Sequence, residues 1–221
     1  MRIFLVTLAV STLAGAALWQ LGLASRIWSS HPFAATFVIA AGGGLAAQLA
    51  SSPHAGPARI VQQPGFVLVG ISARTSNAIE MSVRGVIGKQ WDHFLKDGWL
   101  EKISDRVGSD IIAAYTDYES DHRGSYTFIL GAKVSSANSV PPGMVAKQVP
   151  PGKYAVFTTA RGPAAKVVPE CWQHINSLPK SAPGGDRAYR ADFEVYGPRA
   201  ADPENAQVEI YVGIGKQDGV E

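Results

Sequence analysis

Two glutamates near the end of the chain sit where a carboxylate could do chemistry. Glu194 lies in Phe193-Glu-Val-Tyr196 and Glu209 lies in Val208-Glu-Ile-Tyr-Val212. A carboxylate among such large apolar residues is either solvated on the outer face of a strand or held in an apolar cavity. Burying it unpaired carries a heavy desolvation cost, so an enclosed carboxylate selects for a cationic partner. Aromatic faces attract cations too, which makes Tyr211, Tyr115, Trp91 and Trp172 candidates for the walls of such a site. The two tryptophans read first as helix-on-sheet core, with a place in the pocket walls as the alternative.

Other chemistries find less support. The single cysteine, Cys171, cannot form an intramolecular disulfide and reads as a small core residue beside Trp172. His93 and His174 each follow a tryptophan by two residues and read as exposed or satisfied side chains. No paired-histidine or Cys-rich spacing points to a metal, and no cofactor is expected. Gly42-Gly-Gly44 is not followed by Lys-Ser/Thr and is no phosphate loop, and no Gly-x-Ser-x-Gly elbow occurs.

Charge narrows the classes further. Arg2 and Arg26 are the only charged residues before Arg59, which leaves 18 Lys and Arg against 18 Asp and Glu from there on. The polar part is near neutral and carries no basic stripe, which argues against a nucleic-acid partner. Residues 1–57 are different. Ile3 to Ser25 is uncharged and long enough to cross a bilayer, which takes about 20 residues. A second apolar run, Phe33 to Ala50, follows. These runs predict a membrane anchor of one or two helices, with a cleaved signal segment and export as the alternative.

The elements that must position the candidate residues occupy residues 58–217. Phe66 to Ala73 reads as a buried strand. Val86, Ile87, Trp91, Phe94 and Leu95 recur at helical spacing and predict a helix ending near Gly98. Asp110–Glu119 and Tyr126–Val134 predict a hairpin, and Met144–Val149 and Lys153–Ala160 two more strands. Gly162-Pro163 opens a second helix with the apolar stripe Val167, Cys171, Trp172, Ile175 and Leu178, and Pro169 signals an irregular first turn or a later start. Phe193–Tyr196 and Val208–Val212 lie in a closing hairpin. The halves match in order: Trp91-Asp-His93 with Trp172-Gln-His174, Tyr115–Tyr118 with Phe193–Tyr196, and Phe128–Gly131 with Ile210–Gly213. This predicts an α+β fold of two duplicated βαββ units related by a pseudo-two-fold axis. One antiparallel sheet would carry both helices on one face, with a central ligand cleft. Alternation puts Glu194 with Tyr196, and Glu209 with Tyr211, on the face opposite their apolar neighbours. Both pairs are therefore expected on the open side of the sheet. On the repeat, Thr116 corresponds to Glu194 and Thr127 to Glu209, so neither glutamate belongs to a shared scaffold.

Ile60–Asn77, Pro151-Gly-Lys-Tyr-Ala-Val-Phe157, and the pair Phe193–Tyr196 and Glu209–Val212 resemble, in order, the signatures of the GyrI-like, or AraC effector-binding, superfamily. The resemblance spans Ala58 to Lys216. It implies the same duplicated fold with a cleft between the halves, and a drug- or effector-sensing role. It also implies that Glu209 is the residue that contacts a cationic ligand, with Glu194 second. The chain departs from the family in lacking a helix-turn-helix region and in its apolar N-terminus. The expected function is non-enzymatic binding of a small lipophilic or cationic aromatic ligand by a membrane-tethered domain. A hydrolase of strained electrophiles, with the pocket glutamate as base, and a protein-interaction module akin to a gyrase inhibitor are the alternatives.

Overall fold

The structure, a computed structural model, describes residues 57–179 and 184–215. The apolar runs expected to form an anchor fall outside these residues. Among the described residues no helix is long and apolar enough to cross a membrane. The strands are β1 (Arg59–Gln63), β2 (Phe66–Ser76), β3 (Ile111–Thr116), β4 (Ser125–Val134), β5 (Val145–Val149), β6 (Gly152–Thr158), β7 (Arg187–Tyr196) and β8 (Glu209–Ile214). The helices are α1 (Asn77–Glu80), α2 (Ile87–Lys96), α3 (Trp99–Lys102) and α4 (Ala164–Ser177).

One helix was not expected, and another starts where Gly162-Pro163 predicts. The polar stretch after β2 forms α1, a single turn started by Ser76, whose Oγ accepts the Ile79 amide at 3.3 Å. One turn is too short to leave a periodic signal. Helix α4 starts at Ala164, directly after the Gly162-Pro163 opening, and runs through Pro169 without a later start. Its first amide is satisfied from outside, by the Pro203 carbonyl at 2.8 Å, and the proline removes only the amide that would have bonded the carbonyl of Ala165.

All eight strands form one antiparallel sheet in the order β1-β6-β8-β7-β3-β4-β2-β5. Exchanging β1 with β5, β2 with β6, β3 with β7 and β4 with β8 reverses this order and leaves it otherwise unchanged. The centre of the sheet is the β3–β7 pair, where Ala113 lies opposite Glu194. Residues directly opposite in an antiparallel pair share a face, so Ala113, Glu194 and Ile210 form one row across three strands. On this face α2 buries Trp91 and Phe94 with Val69, Ala113, Phe128 and Leu130. Helix α4 buries Val167, Val168, Cys171 and Ile175 with Phe157, Ile210 and Val212. Tyr196 touches both clusters and lies between the helices.

The opposite face is not the solvated surface that alternation suggests. Leu68, Ile129, Tyr154, Val156 and Phe193 are buried there, with Tyr211 at the margin. The sheet bends over its own surface: the Phe66 ring on β2 meets Phe193 on β7 at 5.3 Å, although two strands lie between theirs. Glycines permit the bend. A methyl group on Gly131 would approach the Val69 carbonyl oxygen to 1.9 Å, and one on Gly213 would approach that of Ala191 to 2.8 Å.

Candidate ligand-binding site

The register of β7 against β8 separates the two glutamates. Glu194 pairs with Ile210, and Glu209 pairs with Val195, so the two carboxylates leave the sheet on opposite sides. Glu209 and Tyr211 stand on the bent face, away from the helices. Glu209 accepts from Arg59 at 2.9 and 3.2 Å, from Arg199 at 2.7 Å and from the Tyr211 hydroxyl at 2.9 Å. The Arg59 guanidinium leads in holding its carboxyl below the usual range, and burial opposes the shift. This carboxylate is already neutralised. The Tyr211 ring stacks on Phe193 at 4.6 Å.

Glu194 faces the helices and is 1% exposed. Its Oε1 accepts from the Tyr115 hydroxyl and from the Trp172 indole N–H, both at 2.6 Å, and its Oε2 accepts from the Tyr196 hydroxyl at 2.7 Å. These donors come from β3, α4 and β7 itself, so the two halves of the sheet and one helix converge on one carboxylate. All three donors are neutral, and no cation pairs with Glu194 among the described residues. Burial pushes its carboxyl above the usual range, with the three hydrogen bonds pulling the other way. Burial likewise raises the Tyr115 and Tyr196 hydroxyls, with the neighbouring carboxylate adding to it, so both remain protonated donors at neutral pH.

Two residues along the same face of β7, Asp192 is compensated. Its Oδ2 takes Arg187 at 2.7 Å and the Tyr118 hydroxyl at 2.7 Å, and its Oδ1 takes the Gly213 amide at 2.8 Å. Arg187 is also committed to Asn176 at 2.6 Å. A register shift between Arg187 and Asp192, with Tyr189 at φ 51°, re-aims this part of the strand. Glu80, the other buried carboxylate on this side, accepts the amides of Val86 at 3.0 Å and Ile87 at 3.1 Å and closes the N-terminus of α2.

Above Glu194, between α2 and α4, lies a cavity of about 600 Å³. Trp91, Tyr115, Tyr118, Tyr126, Trp172 and Tyr196 supply its aromatic walls, and Glu80 and Arg187 reach its edge. The rings brace one another: Tyr115 meets Trp172 at 5.1 Å and Tyr126 at 5.4 Å, and Trp91 meets Tyr196 at 4.7 Å. Of the six residues singled out from the sequence, the cavity brings together Glu194, Tyr115, Trp91 and Trp172, while Glu209 and Tyr211 lie outside it. Sequence reasoning passed over Tyr118, Tyr126 and Arg187 as ligand-facing residues. Tyr118 and Tyr196 had already been aligned by the repeat, which was the available signal. The alternation along β3 also sets Tyr115, not Thr116, on the face of Glu194.

A family profile described as Cass2, the integron-associated effector binding protein, matches residues 59–214. The chain belongs to this effector-binding family. Within the GyrI-like fold, this chain is similar to YobU of Bacillus subtilis (strain 168), at 37% identity over 66% of this chain and 91% of that one. It is also similar to the transcriptional regulator BrlR of Pseudomonas aeruginosa, at 31% identity over 71% of this chain. It spans 55% of BrlR's length. Among solved structures, the integron cassette protein VCH_CASS2 from the mobile metagenome of Vibrio cholerae matches at 30% identity and TM-score 0.58, over 71% of this chain and 95% of that one. SAV2435, whose structure holds tetraphenylphosphonium, shares the fold at 16% identity and TM-score 0.59, over 71% and 93%.

Proposed function

We propose that this chain binds small lipophilic cations in the cavity between α2 and α4, with Glu194 as the charge partner. One observation carries the reading: a carboxylate buried at 1% exposure, held among the described residues by neutral donors alone, at the floor of an aromatic cavity of about 600 Å³. Cavities of this size suit drug-sized ligands. A monovalent cation there recovers the Coulombic energy that burial withholds from the free carboxylate, and the surrounding ring faces add to it. The tetraphenylphosphonium held by SAV2435 is a cation of this class. The role that the family resemblance gives to Glu209 passes to Glu194, because Glu209 already pairs with two arginines and lies outside this cavity.

Titration calorimetry with tetraphenylphosphonium tests this. Removing one member of a buried charge pair costs about 2 kcal/mol or more, so Glu194→Gln weakens binding roughly thirtyfold or more. Equal affinity in the two proteins rejects the assignment. The reading extends to two further features. One is a duplication of the two halves, each with two strands, a helical segment and two strands, which the reversible strand order supports, with the cavity on their pseudo-two-fold axis. The apolar residues 1–57 tether the domain to a membrane, where fractionation of the chain with and without them would show the difference.

A further inference from the structure

A second cavity, of about 280 Å³, lies behind the aromatic wall of the first. The two share Trp91 and Tyr196. The remaining lining is almost wholly apolar and includes Leu95, Leu100, Ile111 and Ala200. Unlike the first cavity, it presents no carboxylate and no arginine. It cannot select a charged group, and a purely apolar occupant would have no reason to stop at the neighbouring carboxylate.

We infer that the ligand is bipartite: a cationic head on Glu194 in the first cavity, and a flexible apolar arm that passes the Trp91–Tyr196 wall into the second. This rests on the cation-binding reading above and specifies the ligand class within it. Tyr196 is the element that makes the passage possible. Its hydroxyl is tied to Glu194 Oε2 at 2.7 Å, and its ring packs edge-on against Trp91 at 4.7 Å. A cationic head that takes up Oε2 competes for the bond that holds this phenol. The ring is then free to turn aside and join the cavities. Head and arm thus cooperate: occupation of the carboxylate opens the space that the arm fills.

The test is a chain-length series, n-butyl to n-decyl trimethylammonium below their micelle-forming concentrations, titrated into the full chain beside benzyltrimethylammonium as a compact cation. Affinity rises about fourfold per methylene while the arm enters apolar space. Ala200→Phe and Leu95→Trp, which add bulk to the second cavity only, are expected to flatten the series to less than twofold per methylene. Benzyltrimethylammonium should bind both variants within twofold of the unaltered chain, which also reports that they fold. A flat series in the unaltered chain overturns the inference. So does a series that stays steep in both filled variants, since the arm then lies elsewhere. If benzyltrimethylammonium and tetraphenylphosphonium both fail to bind the unaltered chain, the cation-binding reading itself is rejected, and this inference with it.

Discussion

Glu194 and Glu209 share a residue type and a hairpin, yet they meet opposite physics. Glu194 is desolvated, with no counter-charge among the described residues, and burial raises its carboxyl; Glu209 is paired, so its carboxyl is lowered. The sign for Glu194 follows from linkage. The folded chain holds this proton more tightly than the unfolded chain does. Ionising it costs stability as pH rises from the ordinary carboxylate range through the raised one. Glu194→Gln therefore gains relative to the unaltered chain at pH 7.5, and the difference in melting temperature narrows as pH is lowered toward 4, measurable by thermal denaturation. Cation binding moves the other way: affinity for tetraphenylphosphonium falls with pH through the same raised range, because the protonated acid offers no charge. For Glu209, both arginines are more than a third exposed, and solvent screening limits the contribution of the pairs. Glu209→Gln is expected to cost about 1 kcal/mol or less and to leave cation affinity unchanged.

At the scale of elements, β7 carries the site because its alternating face presents Asp192, Glu194 and Tyr196 to the helices in sequence. The Asp192–Arg187 pair anchors one end of that row at 0% and 7% side-chain exposure. Asp192→Asn would strand the guanidinium in a buried site, with an expected cost of about 3–5 kcal/mol read by chemical denaturation. The glycines on β4 and β8 set the sheet's curvature. Gly131→Ala forces a methyl group against the β2 backbone, where no flexible side chain can yield. The β2–β4 ladder must open, with a loss of several degrees in melting temperature as the expected outcome. Helix α2 contributes Trp91 to both cavities, while α4 contributes Trp172, the indole donor to Glu194.

At the scale of the whole molecule, the two halves form separate helix-side cores joined by a shared sheet and by Tyr196. A ligand between the helices therefore braces both. Saturation at about a hundred times the dissociation constant adds about 2.7 kcal/mol to folding, which should raise the melting temperature by several degrees while preserving one cooperative transition. Glu194→Gln should lose most of that rise at the same ligand concentration.

Much of this fold was legible before any coordinates. Runs of β-branched residues marked the strands and helical spacing marked α2 and α4, because these signals depend only on near neighbours in the chain. The candidate residues were legible as a set for the same reason: carboxylates among aromatics are unusual wherever they fold. What the chain could not disclose alone was which glutamate meets the cavity. Alternation says which residues of one strand share a face; it does not say how that face aligns with the next strand. That depends on register, and one residue of register moves a side chain through the sheet. Only the tertiary structure, by pairing Glu194 with Ile210 and Glu209 with Val195, put one carboxylate under the helices and the other between two arginines.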